Sequence, residues 1–157
     1  MPSLSVGLVD EGRRLALQGP RLLRQERGVR DAAVAGDLAR DEVDHLAIVT
    51  RLLTRRGGQF SKHHKSTYAA DLRDCIRTGQ GPLELLDRLI VSALIELRSC
   101  ERFAVLARVS TDPELTKLYE ELWASEHGHF TVFLNLAREL ELQPHEVIEE
   151  RWQEMLD

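Results

Sequence analysis

Two short stretches of the chain place a glutamate and a histidine three residues apart: Asp41-Glu42-Val43-Asp44-His45 and Ser125-Glu126-His127-Gly128-His129. On a helix, positions i and i+3 share a face, so each stretch can offer a carboxylate and an imidazole to one metal ion. A single pair of this kind is weak evidence, since both residue types are common on solvated helix faces. Two pairs match a bundle that holds two ions with a Glu-x-x-His from each of two helices and a lone glutamate from each of the other two.

Hairpin geometry selects the lone glutamates, because residues equidistant from the turn between antiparallel helices lie at the same height. The midpoint of Glu96 and Glu126 is residue 111, inside the turn expected over Ser110 to Pro113, whereas Glu101 would face residue 121. The midpoint of Glu11 and Glu42 falls beside Gly28, where a second turn is expected. Glu96 also shares a stripe with Leu89, Ala93, Cys100 and Phe103, where a carboxylate requires a partner. His129 lies between Leu122 and Phe133 on an inward face. The expected metal ligands are therefore Glu11, Glu42, His45, Glu96, Glu126 and His129, with Glu42, Glu96 and Glu126 also serving the chemistry. Asp41 is placed to accept a proton from the non-ligating nitrogen of His129. Oxygen and imidazole ligands with open positions suit iron or manganese, and a pair of such ions can activate O2.

The elements that must position these residues are helical, with apolar residues three or four apart and almost no alternating β-branched runs. A first helix is expected from Ser3 to Gln25, kinked or broken at Gly19-Pro20. A second follows Gly28 and stops at the glycine pair Gly57-Gly58. The polar loop Gln59 to Thr67 then leads to a short helix from Tyr68 to Thr78. A third long helix starts after Gly81-Pro82 and ends near Ser110. A fourth begins at Thr111-Asp112-Pro113-Glu114, a helix-start signature. A final amphipathic segment begins at Pro144, with Val147, Ile148, Trp152 and Met155 as its docking face. The fold expected is all-α, a four-helix bundle with additional short helices, in a single domain over residues 1–157. Its two matched hairpins give the pseudo-twofold pattern that resembles a ferritin-like carboxylate bundle. Cys100 and Trp123 are expected in the core.

The chain has 157 residues, 43% of them hydrophobic and 30% charged, a balance that excludes disordered and fibrous classes. It shows neither a signal peptide nor a membrane span, and its two cysteines form no disulfide framework or zinc knuckle, so a cytoplasmic protein is expected. The net charge of -5 hides an asymmetry. Residues 51–77 carry seven basic side chains against two acidic ones, while residues 139–157 carry seven acidic ones against Arg151 alone. Arg51, Arg55, Arg56, Lys62 and Lys65 are candidate phosphate contacts, and Phe60 and Tyr68 are candidates to stack on an unpaired base or to pack the loop. No nucleophilic triad or phosphate loop competes with the metal reading.

The run Ile95-Glu96-Leu97-Arg98-Ser99-Cys100-Glu101-Arg102-Phe103 resembles the Ile-Glu-Ala-Arg-Ser-Cys-Glu-Arg-Phe signature of the MiaE-like tRNA 2-methylthio-isopentenyladenosine hydroxylases, with one change at Leu97. The similarity continues through Ser125 to Phe130 and back through Leu38 to His45 and Ser66 to Ala69. The resemblance implies a ferritin-like protein with two non-haem irons. It further implies O2-dependent hydroxylation of the isopentenyl group of a modified adenosine in the tRNA anticodon loop, with electrons from an external donor. Glu42, His45, Glu96, Glu126 and His129 take the matching ligand positions, while Glu11 rests on spacing. Two alternatives share the ligands: a di-iron hydroxylase of a small metabolite, and a ferritin-like iron-handling or peroxide-reducing protein. A third reading is a helical binding module whose metal site has decayed.

Overall fold

The computed structural model describes residues 24–59, 67–140 and 145–156. Five helices occupy them: α1 (Arg24–Arg55), α2 (Thr67–Asp74), α3 (Pro82–Val109), α4 (Pro113–Glu139) and α5 (His145–Glu154), and no strand occurs among the described residues. The fold is all-α, as expected. The first expected helix up to residue 23, with Glu11, and likewise Phe60, Lys62 and Lys65 lie outside the described residues.

Contacts divide the chain into two compact units, residues 1–40 and 41–157. In the first unit the described residues are the opening turns of α1, with an exposed ion pair between Arg40 and Asp37. One expectation fails here, because the helix runs through Gly28 without a turn. A glycine inside a helix costs only about 1 kcal/mol relative to alanine, and the surrounding arginines, glutamate and valine carry the helix past it. The turn that selected Glu11 by equal height is therefore not at Gly28.

The second unit holds the core and every candidate residue described below. The C-terminus of α1 closes as the glycine pair suggests. Gly57 adopts φ 72°, its N–H donates to Thr54 (3.0 Å), and the N–H of Gly58 donates to Leu53 (2.9 Å), satisfying the last carbonyls. A β-carbon at residue 57 would be strained there.

The long helices α3 and α4 pack antiparallel, bringing Phe103 onto Tyr119 and the Cys100 thiol to the Trp123 carbonyl. Leu86, Ile90 and Leu94, spaced by four on α3, are fully buried, with Leu72 of α2, Ala137 of α4 and Met155 of the C-terminal segment around them. Each such leucine or isoleucine contributes roughly 1.5–3 kcal/mol of burial. Ile148 and Trp152 of α5 pack against this cluster, as the amphipathic pattern requires. Trp123 departs from expectation. It is 42% exposed and stacks on His127, one turn further along α4, with ring centroids 5.3 Å apart.

Asp112 caps α4 as its sequence suggests, accepting from the N–H groups of Glu114 (2.9 Å) and Leu115 (3.2 Å). It also accepts from Arg56 at the end of α1 (2.6 Å). Asp112→Ala removes the cap and one end of this clamp. It is expected to lower the thermal midpoint by several degrees, more than Ser110→Ala does; differential scanning calorimetry of both variants checks the comparison.

Candidate metal centre

Helix α1 delivers Asp41, Glu42 and His45, α3 delivers Glu96, and α4 delivers Glu126 and His129. Helical spacing turns Glu42 with His45, and Glu126 with His129, toward the same point, and the two pairs cross over. His45 Nδ1 lies 3.3 Å from Glu126 Oε1 and 3.8 Å from Glu42 Oε1, while His129 Nδ1 lies 3.2 Å from Glu42 Oε1. The imidazole centroids are 5.8 Å apart. Ligand atoms of Glu42, Glu96, Glu126 and His129 all fall within 4.8 Å of one another. Glu126 and His129 are buried, Glu96 is partly buried, and Glu42 is exposed on the side of α1.

This cluster is costly without a cation. Burial, then the hydrogen bond to Glu126, then the charges of Glu126 and Glu42 push the Glu96 carboxyl up to about 9, so it holds a proton that a metal ion would displace. His45 Nδ1 and His129 Nδ1 face carboxylate oxygens without hydrogen-bond alignment and are buried with no hydrogen-bond partner. Two imidazole nitrogens without hydrogen bonds, aimed into a group of three carboxylates, fit metal ligation through lone pairs. The other nitrogen of His129, Nε2, lies 3.2 Å from Asp41 Oδ2. That contact fixes the ring's orientation and leaves Nδ1 facing the cluster. Glu101, the rejected alternative to Glu96, is exposed and pairs with Arg98 (3.0 Å). The Cys100 thiol is pushed up to about 12, by burial and then by the charges of Glu126 and Glu96, which leaves it protonated and unreactive.

The candidate phosphate contacts fare differently. Arg56 donates to both Asp112 and Glu114 (2.6 Å each), and Arg55 pairs with Glu114. Arg51 is exposed beside them. The hydroxyl of Tyr68 donates to the Leu94 carbonyl (3.2 Å), so this ring packs against the core. Arg77, counted in the basic stretch, turns inward onto Asp87.

Sequence reasoning overlooked Asp87, which is fully buried and bonded by Arg77 (Nη2, 2.6 Å) and Arg151 (Nε, 2.9 Å). Its signal was present: it sits on the Leu86 to Leu94 inward stripe, as Glu96 does further along. Burial raises its carboxyl, but the hydrogen bonds from Arg77 and Arg151 outweigh that and hold it at about 2.

Antiparallel helices that bring a crossed pair of Glu-x-x-His motifs together with a third helix's glutamate define a ferritin-like protein with a candidate metal centre. The chain belongs to the tRNA-(MS[2]IO[6]A)-hydroxylase (MiaE) family, whose sequence profile matches residues 30–157. It is 43% identical over 100 residues to the tRNA 2-(methylsulfanyl)-N(6)-isopentenyladenosine(37) hydroxylase of Pseudomonas putida, covering 64% of this chain and 48% of that protein. It is 38% identical over 103 residues to the Salmonella typhimurium enzyme of the same name, covering 66% and 37%. The chain thus spans half or less of the length of these curated relatives. Among solved structures it is similar to a Synechococcus protein described as Protein 43 with aldehyde deformylating oxygenase activity. The TM-score is 0.70 at 39% identity, over 76% of this chain and 58% of that one.

Proposed function

We propose that this chain is a non-haem di-iron monooxygenase that hydroxylates the isopentenyl side chain of 2-methylthio-isopentenyladenosine in tRNA, in the cytoplasm, with O2 as co-substrate and electrons from an external donor. The observation that carries this reading is the three-helix cluster of Glu42, His45, Glu96, Glu126 and His129 inside the region that matches the family. Two bound irons would supply the O2 activation that no side chain provides. Glu42, His45, Glu96, Glu126 and His129 would hold the ions, with Glu11 the candidate for a further carboxylate. The carboxylates would balance the charge of the ions, and Glu96 would give up its proton to ligate. Arg51, with Lys62 and Lys65, is the candidate grip on the anticodon stem; Arg55 and Arg56 serve it only by exchanging their carboxylates for phosphates.

The test is incubation of the iron-loaded protein with tRNA carrying the unhydroxylated nucleoside, O2 and a chemical reductant, followed by mass spectrometry of the digested nucleosides. Gain of one oxygen atom on the prenylated adenosine is expected; no gain, with iron bound and O2 consumed, sinks the tRNA reading. A small-metabolite substrate is the second reading. It is favoured by the described activity of the Synechococcus protein and by the carboxylate partners that Arg55 and Arg56 already have.

Asp41 is proposed to orient His129. Asp41→Ala is expected to weaken metal binding about 10–100-fold without unfolding the chain. Competition against a chelator of known affinity measures the change, and Asp41→Asn is expected to recover part of it.

A further inference from the structure

Between the second half of α1 and the first half of α4 runs a trough of about 590 Å³. Both walls belong to the larger unit, and each helix contributes a stripe at helical spacing. Ile48 and Leu52 of α1 meet Leu118 of α4 as an apolar floor. The far end is closed by the Arg55 and Glu114 ion pair. In the other direction the helices lead to the metal cluster, since Ile48 follows His45 by one turn and Leu118 precedes Glu126 by about two.

The rim carries Arg51 on one helix and Lys117 with Glu121 on the other, so that with the Arg55 and Glu114 pair at its end the trough keeps an excess of positive charge. Lys117 has only an exposed contact of 3.6 Å to Glu121, and Arg51 pairs with no carboxylate among the described residues. An apolar floor running toward an oxidising centre, with cations at its edge, suits an amphiphile with a hydrocarbon end and an anionic end. A neutral hydrocarbon aldehyde would match the floor and leave Arg51 without a partner.

We infer that this trough is the substrate cradle and that it takes a prenylated adenine nucleotide. The isopentenyl end lies along Ile48, Leu52 and Leu118 toward the cluster, and a phosphate sits on Arg51 and Lys117. Arg51 lies six residues beyond His45, about 9 Å along the helix, a span comparable with that between the tail and the phosphate of such a nucleotide. This assignment rests on the prenyl-adenosine reading above and adds to it the residues that choose the substrate: the floor reads the tail and the rim reads the phosphate.

The test is calorimetric titration of the metal-loaded full chain with three probes: N6-isopentenyladenosine 5′-monophosphate, the same nucleoside without phosphate, and adenosine monophosphate. The prenylated monophosphate is expected to bind about tenfold more tightly than its nucleoside. Arg51→Gln is expected to erase that advantage while the nucleoside binds as before. Ile48→Asp, at a partly exposed position that tolerates the change, is expected to weaken both prenylated probes and leave adenosine monophosphate unaffected. Equal binding of the first two probes, absence of binding, or indifference to both substitutions overturns the cradle. If tRNA is still hydroxylated in that event, only the cradle fails; if tRNA is inert and the prenylated probes do not bind, the prenyl-adenosine reading falls with it.

Discussion

Glu96→Gln is expected to make the metal-free chain more stable and metal binding at the candidate centre far weaker. Glu96 keeps its proton up to about pH 9 in the folded chain and loses it near 4.5 once exposed. Between those values the folded state binds more protons than the unfolded one, so stability falls as pH rises through the window. The amide keeps the shape and the hydrogen bond toward Glu126, carries no proton to lose, and abolishes the slope. At pH 8 the gain is about 1–2 kcal/mol, after discounting for the partial exposure of the site. Metal binding moves the other way, because an amide oxygen supplies neither the charge nor the second oxygen ligand, and affinity drops at least about 100-fold. Urea unfolding of the chelator-treated proteins from pH 5 to 9, alongside Mn(II) titrations, reads both effects. A variant that loses stability at pH 8 and binds Mn(II) as tightly as the wild type would mean that Glu96 is a structural carboxylate rather than part of a cation site.

The pairing of opposite signs also explains why the cluster of carboxylates and imidazoles was readable from sequence. A carboxylate on an apolar stripe is unfavourable for folding, so Glu96 between Ala93 and Cys100 stands out against its surroundings, and so do Glu126 and His129 beside Leu122. The arithmetic around the Ser110 to Pro113 turn succeeded because Asp112 and Pro113 fix the start of α4 through local capping chemistry. The turn expected at Gly28 is not there because one glycine is a weak helix breaker, while Glu11 itself lies outside the described residues. Trp123 was misplaced for a related reason. It lies three residues before Glu126, and helix periodicity alone does not say which flank of a partly buried helix faces water. The partners of the basic stretch were not legible in its charge count. Charge counts record Arg55, Arg56 and Arg77 but not Glu114, Asp112 and Asp87, which lie 59, 56 and 10 residues away in the chain.

Asp87→Asn is expected to be the most destabilising single substitution outside the apolar core. The carboxylate has no exposed surface and accepts from the backbone N–H and guanidinium of Arg77 and from the guanidinium of Arg151, which also donates to the Cys75 carbonyl. It therefore joins the turn after α2, the first turns of α3, and α5. An asparagine offers one acceptor oxygen and an amide group that points a donor at donors, leaving two guanidinium groups without their counter-charge. Breaking a buried pair in this way costs about 3–5 kcal/mol, a large share of the 5–15 kcal/mol that a domain of this size has in total. The pH dependence has the opposite sign to that of Glu96. The Asp87 carboxyl is held at about 2, below its ordinary 3.8, so its contribution is fully present above pH 4 and is lost as pH falls through that interval. The wild-type chain should thus lose stability steeply between pH 4 and 2, and the variant less so. The damage is expected to reach the candidate metal centre, because α5 carries Trp152 against Phe130, the residue after the candidate ligand His129. Denaturant unfolding followed by Trp152 fluorescence, with Trp123→Phe as background, separates two outcomes. A lower midpoint with an unchanged slope means the whole unit loses stability together. An early, shallow phase means that α5 undocks first, and metal retention measured across that phase shows how far its packing holds His129 in place.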